Sequence, residues 1–219
     1  TPAQVITAWG RLGYPRRALR LHAAAQIIAE DFNNKVPDDQ ETLQLLPGVG
    51  EYTAAAIAAF AFEHRSLVMD VNIRRLLVRA IDGQEHPKPA ATAREKARRL
   101  AVLPEKNAHV WAAATMELGA LVCTSKNPSC EFCPIIGQCN WRKNGYPKTE
   151  LIRKSQDWHG TDRKCRGTIV QALRENESLT EIAIKKLWPD ESQVEKALKT
   201  LLADQLIQAL PRGRYRLPQ

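Results

Sequence analysis

Apolar residues recur with a helical period over most of residues 2–122. Residues 15–32 (PRRALRLHAAAQIIAEDF) open with Pro15 at a first-turn position and then place Leu19, Ala23, Gln26 and Ile27 on one face. Residues 51–62 (EYTAAAIAAFAF) are apolar almost all round, which is typical of a buried helix. The same pattern predicts three further helices, in residues 71–81, 90–103 and 108–122.

The pattern changes after residue 140. Residues 140–160 are polar and interrupted by Gly145, Pro147 and Gly160, so we interpret residues 148–160 as a linker. Three amphipathic segments follow, and residues 206–218 (LIQALPRGRYRLP) predict two short strands around a turn. Three helices and then a β-hairpin is the order of a winged helix. The predicted fold class is mainly α, with a small winged-helix-like α+β domain at residues 161–219.

Charge and composition restrict the kind of partner. The chain is 44% hydrophobic and 26% charged, which allows a real core, and its formal net charge of +8 favours a polyanionic partner. Nucleic acid is the first candidate, and an anionic membrane surface is the second. No apolar run approaches the ~18 residues of a membrane span. The first residue is Thr rather than Met, so we expect the chain to be part of a longer protein.

Four of the five cysteines lie close together in the sequence. Cys123, Cys130, Cys133 and Cys139 have the spacing C-x6-C-x2-C-x5-C, while Cys165 stands apart. Four soft thiolates suit a four-iron four-sulfur cluster or tetrahedral zinc, and the long, unequal outer spacings favour the bulkier cluster. Zinc or disulfides remain as alternatives. The clustered pattern differs from that of a secreted disulfide scaffold, so we expect an intracellular, reducing location.

Two further features could carry chemistry. The segment LPGVG, residues 46–50, joins two predicted helices, and its glycines would let free amides at the next helix start meet a phosphate. An ordinary helix–helix turn would have the same sequence. Asp70 stands directly before a predicted helix, where an N-cap is the plainest interpretation. A capping carboxylate held rigidly in a cleft can also act in chemistry.

Together, the LPGVG hairpin, an aspartate twenty residues later and the cysteine spacing resemble the helix-hairpin-helix base-excision DNA glycosylases. The resemblance covers residues 1 to about 147 and implies a four-iron four-sulfur cluster held by the four clustered cysteines. Tyr52 occupies the position of the lysine that forms a Schiff base in the endonuclease III branch, so strand cleavage through an imine is not expected. The stretches WGRLGYPRRALRLHAAA and MELGALVC resemble the adenine glycosylases of the MutY type.

The resemblance implies a role for each matching residue. Asp70 would stabilise the oxocarbenium-like sugar, with Tyr52 and Asn72 beside it. Tyr14 would enter the base stack next to 8-oxoguanine, with Leu12 near it. The DNA-binding hairpin would consist of Leu46, Gly48, Val49 and Gly50. Glu117 is a weaker candidate near the site, and His22, Arg16 and Arg17 have either a structural or a phosphate-binding role.

The chain departs from the family in two ways. The family's general acid is a glutamate upstream of the GLGY region, and nothing here matches it, so we expect this 219-residue piece to be poorly active or inactive. Many members also carry a Nudix-like C-terminal domain, whereas residues 161–219 are too short for one. This segment could contact DNA through the wing arginines Arg212, Arg214 and Arg216, or bind a protein.

The resulting prediction is a monofunctional glycosylase of base excision repair that removes adenine mispaired with 8-oxoguanine or guanine. Its partner would be mismatched double-stranded DNA, and a monomer in a bacterial cytoplasm, associated with the nucleoid, is expected. Two alternatives stay open: a glycosylase for thymine or uracil opposite guanine, and a non-catalytic DNA-binding iron–sulfur module. The predicted domains are residues 1–122, a cluster loop at 123–147, the linker and residues 161–219.

Overall fold

The computed structural model describes residues 1–149 and 160–219. Most of the predicted linker, 150–159, therefore lies outside the described residues. The chain forms two compact units, one made of Thr1–Val36 and Lys154–Gln219 and the other of Pro37–Arg153. We call them the terminal unit and the central unit.

The described residues are mainly helical, as the sequence predicts. The helices are α1 (Pro2–Trp9), α2 (Arg16–Asp31), α3 (Gln40–Leu45), α4 (Glu51–Phe62), α5 (Val71–Leu77), α6 (Ala93–Leu100), α7 (Ala108–Leu121), α8 (Asn140–Lys143), α9 (Asp162–Glu175), α10 (Glu181–Lys185) and α11 (Glu191–Ala203). The strands are β1 (Leu179–Thr180), β2 (Gln208–Leu210) and β3 (Arg214–Arg216). Within the described part of the chain, every helix is too short or too polar to cross a lipid bilayer.

The central unit contains α3 to α8. Its apolar core brings α4, α5 and α7 together through Ala59, Ile73, Leu77 and Ala112. The prediction that residues 51–62 form a buried helix is confirmed on one face only, because Ala54, Ala55, Ala58 and Ala59 are buried while Phe60 is 44% exposed. Residues 71–81 do not form one regular helix, since α5 ends at Leu77 and Val78–Asp82 continue as a π-helical turn.

The terminal unit joins both ends of the described chain in one core. Ile6 of α1 and Ala18 of α2 are fully buried in the same apolar cluster as Ile169 of α9 and Leu201 of α11. Arg174 adds a polar link, because its Nε donates to the Ile6 carbonyl at 3.1 Å. The sequence places residues 1–122 in one helical domain and does not predict that residues 1–36 group with the C-terminal segment.

The C-terminal segment carries a three-stranded antiparallel sheet with the order β1-β3-β2. The two strands predicted around the Pro-Arg-Gly turn are confirmed. The first strand, β1, was wrongly included in a helix, because residues 179–188 look uniformly amphipathic. Leu179 instead pairs with Tyr215, and Thr180 caps α10 by accepting a hydrogen bond from the Ala183 amide at 3.2 Å.

Candidate functional site

The hairpin between α3 and α4 presents backbone amides at the surface of the central unit. Leu46 ends α3 and is buried, which anchors the turn, and Gly48 follows with a φ of 81°. The Val49 amide bonds to the Leu46 carbonyl at 3.1 Å. Gly50 is the N-cap of α4 and supplies no capping side chain, so the first amides of the helix have no partner within the helix. The arrangement suits an anion.

Asp70 is fixed at the start of α5 by both of its carboxylate oxygens. Its Oδ1 accepts from the Ile73 amide at 2.6 Å, the N-cap bond expected from the sequence. Its Oδ2 accepts from Asn72 Nδ2 at 3.2 Å. The side chain is half-buried, so one face remains open to solvent. The carboxylate is therefore held rigidly and is also reachable.

Asn72 is itself held by a buried arginine. Its Oδ1 accepts from Arg75 at 2.8 Å, and Arg75 also donates to the carbonyls of Gly119 and Cys123, the latter at 2.7 Å from Nε. Gly119 of α7 lies against the Asn72 backbone, and a Cβ at that position would stand 2.6 Å from the Asn72 carbonyl oxygen. A continuous set of hydrogen bonds thus joins Asp70 to the first cysteine of the cluster segment.

The four clustered cysteines line one small cavity of about 20 Å³ in the central unit. All four are unpaired thiols and half-buried, which excludes disulfides between them in this structure. Burial raises the pKa of Cys130 and of Cys133, and neighbouring thiolates raise both further. A cationic centre among them would reverse this effect, since coordination favours the deprotonated thiolate.

Arg79 lies beneath this cavity and is 1% exposed. Its Nη1 approaches Cys123 Sγ at 3.3 Å and donates to the Thr124 carbonyl at 2.8 Å. Its guanidinium stacks over the Trp141 ring at 4.6 Å, and its Nε donates to the Glu85 carbonyl at 2.9 Å. The arginine therefore ties both ends of the cysteine segment to the π-helical turn.

Tyr52 and Glu117 lie elsewhere on the central unit's surface. Tyr52 occupies the first turn of α4 and is 47% exposed. Among the described residues it makes no hydrogen bond to Asp70 or Asn72. Glu117 is exposed on α7, which agrees with the plainer interpretation of a surface residue. The hydrogen bonds of the described residues therefore join Asp70 with Asn72.

Leu12 and Tyr14 belong to the terminal unit, in the turn between α1 and α2. They are 71% and 64% exposed, so both side chains are accessible to a partner. Tyr14 has a φ of 46°, and Arg163 of α9 stacks on its ring at 4.7 Å. Arg16 pairs with Asp204 at 3.0 Å, Arg17 stacks over Trp9 at 5.6 Å, and His22 is half-buried on α2.

Sequence reasoning missed Arg75 and Arg79. The helix predicted over residues 71–81 gives no sign of their burial, yet they are 8% and 1% exposed. The available signal was their spacing, because residues four apart lie on the same helix face. Buried arginines on that face need several acceptors, and the carbonyls of the cysteine segment supply them.

Comparison with known proteins relates the chain to DNA glycosylases. A family model described as the helix-hairpin-helix motif matches residues 31–60. The adenine DNA glycosylase of Mycobacterium tuberculosis is 45% identical over 220 residues, which is 99% of this chain and 72% of that protein. The corresponding enzyme of Mycolicibacterium smegmatis is 41% identical over 218 residues, covering 99% of this chain and 74% of its own length.

Solved structures share the fold at lower identity. A thermostable thymine-DNA glycosylase superposes with a TM-score of 0.60 at 23% identity, covering 66% of this chain and 67% of that one. A non-covalent endonuclease III–DNA complex gives a TM-score of 0.56 at 21% identity, with 67% and 68% covered. These two show the fold alone. Because the identity to the adenine enzymes extends over almost the entire chain, the chain belongs to the adenine DNA glycosylase family, enzymes of base excision repair.

Proposed function

We propose that this protein hydrolyses the N-glycosidic bond of adenine mispaired with 8-oxoguanine or guanine, and that Asp70 is the carboxylate at the reacting sugar. The observation that carries the proposal is the fixed geometry of Asp70, whose two oxygens are held at 2.6 Å and 3.2 Å by Ile73 and Asn72. A group held in this way needs little reorganisation when charge develops beside it.

Cleavage of the glycosidic bond leaves positive charge on the sugar. The Asp70 carboxylate, fixed in place before the reaction, would stabilise that charge in the transition state more than in the ground state. Asn72 is a positioning residue in this scheme, because it orients Asp70 and is itself oriented by Arg75. Water then adds to the sugar. We assign no residue of 1–219 to protonation of the leaving base.

Tyr52 supports a reaction without strand cleavage. A lyase of this superfamily needs an amine at the start of α4 to form an imine with the sugar, and a phenol cannot form one. Tyr52 is exposed on the first turn of α4, where it can line a sugar pocket. The expected product is therefore an abasic site in an intact strand.

DNA would be held at two places. The amides around Gly48, Val49 and Gly50 and the uncapped N-terminus of α4 fit one backbone phosphate, with Leu46 as the buried anchor. The exposed Leu12 and Tyr14 fit insertion into the base stack beside the opposite base, which offsets part of the cost of unstacking. The preferred substrate would be a duplex, bound by a protein monomer.

The cysteine segment fits a four-iron four-sulfur cluster. Cys123, Cys130, Cys133 and Cys139 are soft donors on one cavity, with Arg79 beside them to offset the cluster's negative charge. Within the described residues, no three His, Cys, Asp or Glu side chains are placed around a point where a single ion could sit. The long, unequal outer spacings of the four cysteines favour the bulkier cluster over a single zinc ion. The cluster would hold the cysteine segment together, so that the positively charged side chains beside the segment can contact DNA.

The terminal unit's C-terminal part has the element order of a winged helix. Three helices, α9, α10 and α11, combine with the sheet β1-β3-β2, whose β2–β3 hairpin would form the wing. We propose it as a winged-helix-like domain at residues 161–219, following a helical domain at 1–122, the cluster loop at 123–147 and a linker at 148–160. The shared core of Ile6 and Ala18 with α9 and α11 means that this domain also supports the first two helices.

The test is Asp70→Asn in the full-length protein, with Asp39→Asn as the matched control. Asp39 also caps a helix, accepting from the Thr42 amide at 2.8 Å, but lies outside the site. Asparagine caps nearly as well as aspartate, so both variants should unfold within about 0.5 kcal/mol of the parent. Asp70→Asn should lose adenine excision by at least roughly a thousandfold, whereas Asp39→Asn should retain it.

Single-turnover assays on duplexes with A opposite 8-oxoguanine, A opposite G and T opposite G would measure this, developed with and without alkali. Excision by Asp70→Asn at the parent's rate would leave Asp70 as a helix cap only. Cleavage at thymine would assign the protein to the mismatch branch. Cleavage without alkali would contradict the argument from Tyr52.

A further inference from the structure

A cleft of about 600 Å³ opens in the terminal unit between the start of α2 and the start of α9. Its lining includes Arg16, Arg17 and Arg20 from α2 and Arg163 and Arg166 from α9, with Asp204 as the one acidic residue. Five guanidinium groups and one carboxylate share the walls. The cleft is therefore strongly electropositive, and its chemistry is that of an anion site.

The helical spacing explains how two helices form one basic cleft. On α2, Arg20 follows Arg16 by four residues and Arg17 by three, so it shares a helix face with each, and Arg163 and Arg166 are likewise three apart on α9. Asp204 bonds to both helices, to Arg16 at 3.0 Å and to Arg166 at 2.5 Å. Asp204 therefore links the two helices that line the cleft.

The helices α10 and α11 show a different charge arrangement. On α10, Lys185 pairs with Glu181, Glu191 and Glu195, at 3.5, 3.4 and 2.9 Å. On α11, Lys196 pairs with Asp162 at 2.5 Å. The third helix of a winged helix usually reads DNA, but here its first turn is acidic and Lys196 is paired. Among the three helices the positive surplus lies on α9, and the β2–β3 hairpin adds Arg212, Arg214 and Arg216.

The wall beside the cleft is stiff. Gly13 and Tyr14 both have positive φ, 76° and 46°, and the Trp9 indole Nε1 donates to the Gly13 carbonyl at 2.9 Å. A strained non-glycine residue such as Tyr14 persists only where its surroundings hold it. Gly167 also lines the cleft, and a Cβ there would meet nothing within 4 Å. The cleft is thus preformed and open.

We propose that this arginine cleft binds backbone phosphates of a DNA strand, so that the C-terminal segment contacts DNA through α9 rather than through α11. The inference rests on the proposed function in so far as it takes the polyanion to be DNA. Guanidinium forks match phosphate oxygens two at a time, and arginine is favoured over lysine where such pairing matters. The strand would pass beside Tyr14, whose outer ring face is exposed.

Gly167→Glu tests the proposal without removing any arginine. Gly167 lines the cleft and a Cβ there would meet nothing within 4 Å, so a carboxylate can be added beside the arginines without a clash, and Gly167→Gln gives nearly the same volume without charge. The measurement is the Kd of the full-length protein for a duplex bearing a tetrahydrofuran abasic site opposite 8-oxoguanine, over a series of salt concentrations. We expect Gly167→Glu to weaken binding roughly tenfold and to reduce the salt slope by about 0.9 for each lost phosphate contact. Gly167→Gln should bind nearly as the parent does.

Arg163→Ala provides an independent variant, with Lys199→Ala as its control. Lys199 is exposed on α11, and its replacement by alanine removes the same charge from outside the cleft. Arg163→Ala should reduce affinity and salt slope, and Lys199→Ala should change neither. Equal thermal unfolding midpoints for all four variants would show that loss of binding is not loss of fold.

The outcomes separate this inference from the proposed function. If the parent excises adenine and Gly167→Glu binds DNA as tightly as Gly167→Gln, the cleft proposal is overturned and the function stands. If the parent excises no adenine but loses DNA affinity with Gly167→Glu, the function fails and the cleft proposal stands. Titration with inorganic phosphate distinguishes DNA from a smaller phosphate ligand. If Gly167→Glu abolishes phosphate binding but leaves the affinity for DNA unchanged, the assignment to DNA is overturned.

Discussion

The central and terminal units position their functional residues by different means. In the central unit, Asp70 is held by a chain of hydrogen bonds that runs through Asn72 and Arg75 to the carbonyl of Cys123. In the terminal unit, Tyr14 stands on a turn whose flanking helices are anchored by an apolar core shared with α9 and α11. The first depends on directional bonds and, in our proposal, on a cluster, and the second depends on packing. The two units should therefore fail under different substitutions.

The largest expected effect is that of Cys130→Ser in the central unit. Loss of one ligand should release the cluster and unfold the cysteine segment. Arg79 would then be buried beside thiols that no longer hold a cluster. Iron and sulfide content, the visible absorbance of the cluster and DNA affinity should all fall together. Cys165→Ala is the control from the terminal unit, where a buried thiol with a burial-raised pKa acts as a small apolar side chain. It should keep the iron and lose only about 1 kcal/mol of stability.

A Cys130→Ser protein with full iron content and the parent's melting temperature would contradict this contrast. It would mean that three cysteines suffice, or that the segment is held by the arginines alone.

Ile6→Ala should have the next largest effect, and it probes the shared core of the terminal unit. Ile6 is fully buried among residues of α9 and α11, so truncation should cost about 2–5 kcal/mol. Ile182 offers a matched control on α10, because it is 71% exposed and its truncation should cost less than about 0.5 kcal/mol. Chemical denaturation of both variants measures the difference. Equal values would show that α1 does not pack on the C-terminal helices.

Two helical glycines, one in each unit, extend the comparison with substitutions of intermediate expected effect. Gly119→Ala would place a Cβ 2.6 Å from the Asn72 carbonyl oxygen, so α5 and α7 must move apart. We expect a loss of about 1–3 kcal/mol and a lower rate of adenine excision, because the position of Asp70 follows that of Asn72. Gly167→Ala in α9 meets open space and should stabilise its helix by about 0.5–1 kcal/mol.

Thermal unfolding and single-turnover excision, measured on both glycine variants, test this pair. Gly119→Ala with the parent's stability and rate would show that the contact between α5 and α7 relaxes without moving the site.

The smallest expected effect concerns the ion pairs of α10 and α11. Lys185 lowers the pKa of the Glu195 carboxyl below its ordinary value. The stability that this pair contributes is therefore present above the ordinary glutamate pKa and is lost as the pH falls through the lowered value. Glu195→Gln should remove that part of the pH dependence and little else, because the pair is exposed and screened by salt. The measurement is the unfolding midpoint of the parent and of the variant from about pH 3 to about pH 7, a range that spans the ordinary pKa of glutamate.

Much of the molecule could be predicted from local patterns. The apolar period located α2, α4, α7 and α11, and the turn chemistry of Pro-Arg-Gly located the β2–β3 hairpin. The N-cap position of Asp70 also followed from the sequence, because a capping bond spans only three residues. Such features depend on neighbours along the chain, which the sequence displays directly.

Features that join distant residues could not be predicted in the same way. The burial of Arg75 and Arg79 depends on carbonyl acceptors more than forty residues away, at Cys123 and Thr124. The strand β1 forms because Leu179 pairs with Tyr215 of β3. The predicted boundary between a helical domain at 1–122 and a domain at 161–219 gave no sign that Ile6 and Ile169 share a core.

The sequence by itself therefore determined the kinds of elements, the turn that presents backbone amides, the capping carboxylate and the set of four soft ligands, because each rests on local geometry or on side-chain chemistry. The tertiary structure alone decided which groups act together: Asp70 with Asn72 and Arg75, and the arginines of α2 with those of α9. The physical reason is that burial and charge are properties of neighbours in space, and such neighbours can be far apart along the chain, as Arg16 and Asp204 are at a separation of 188 positions.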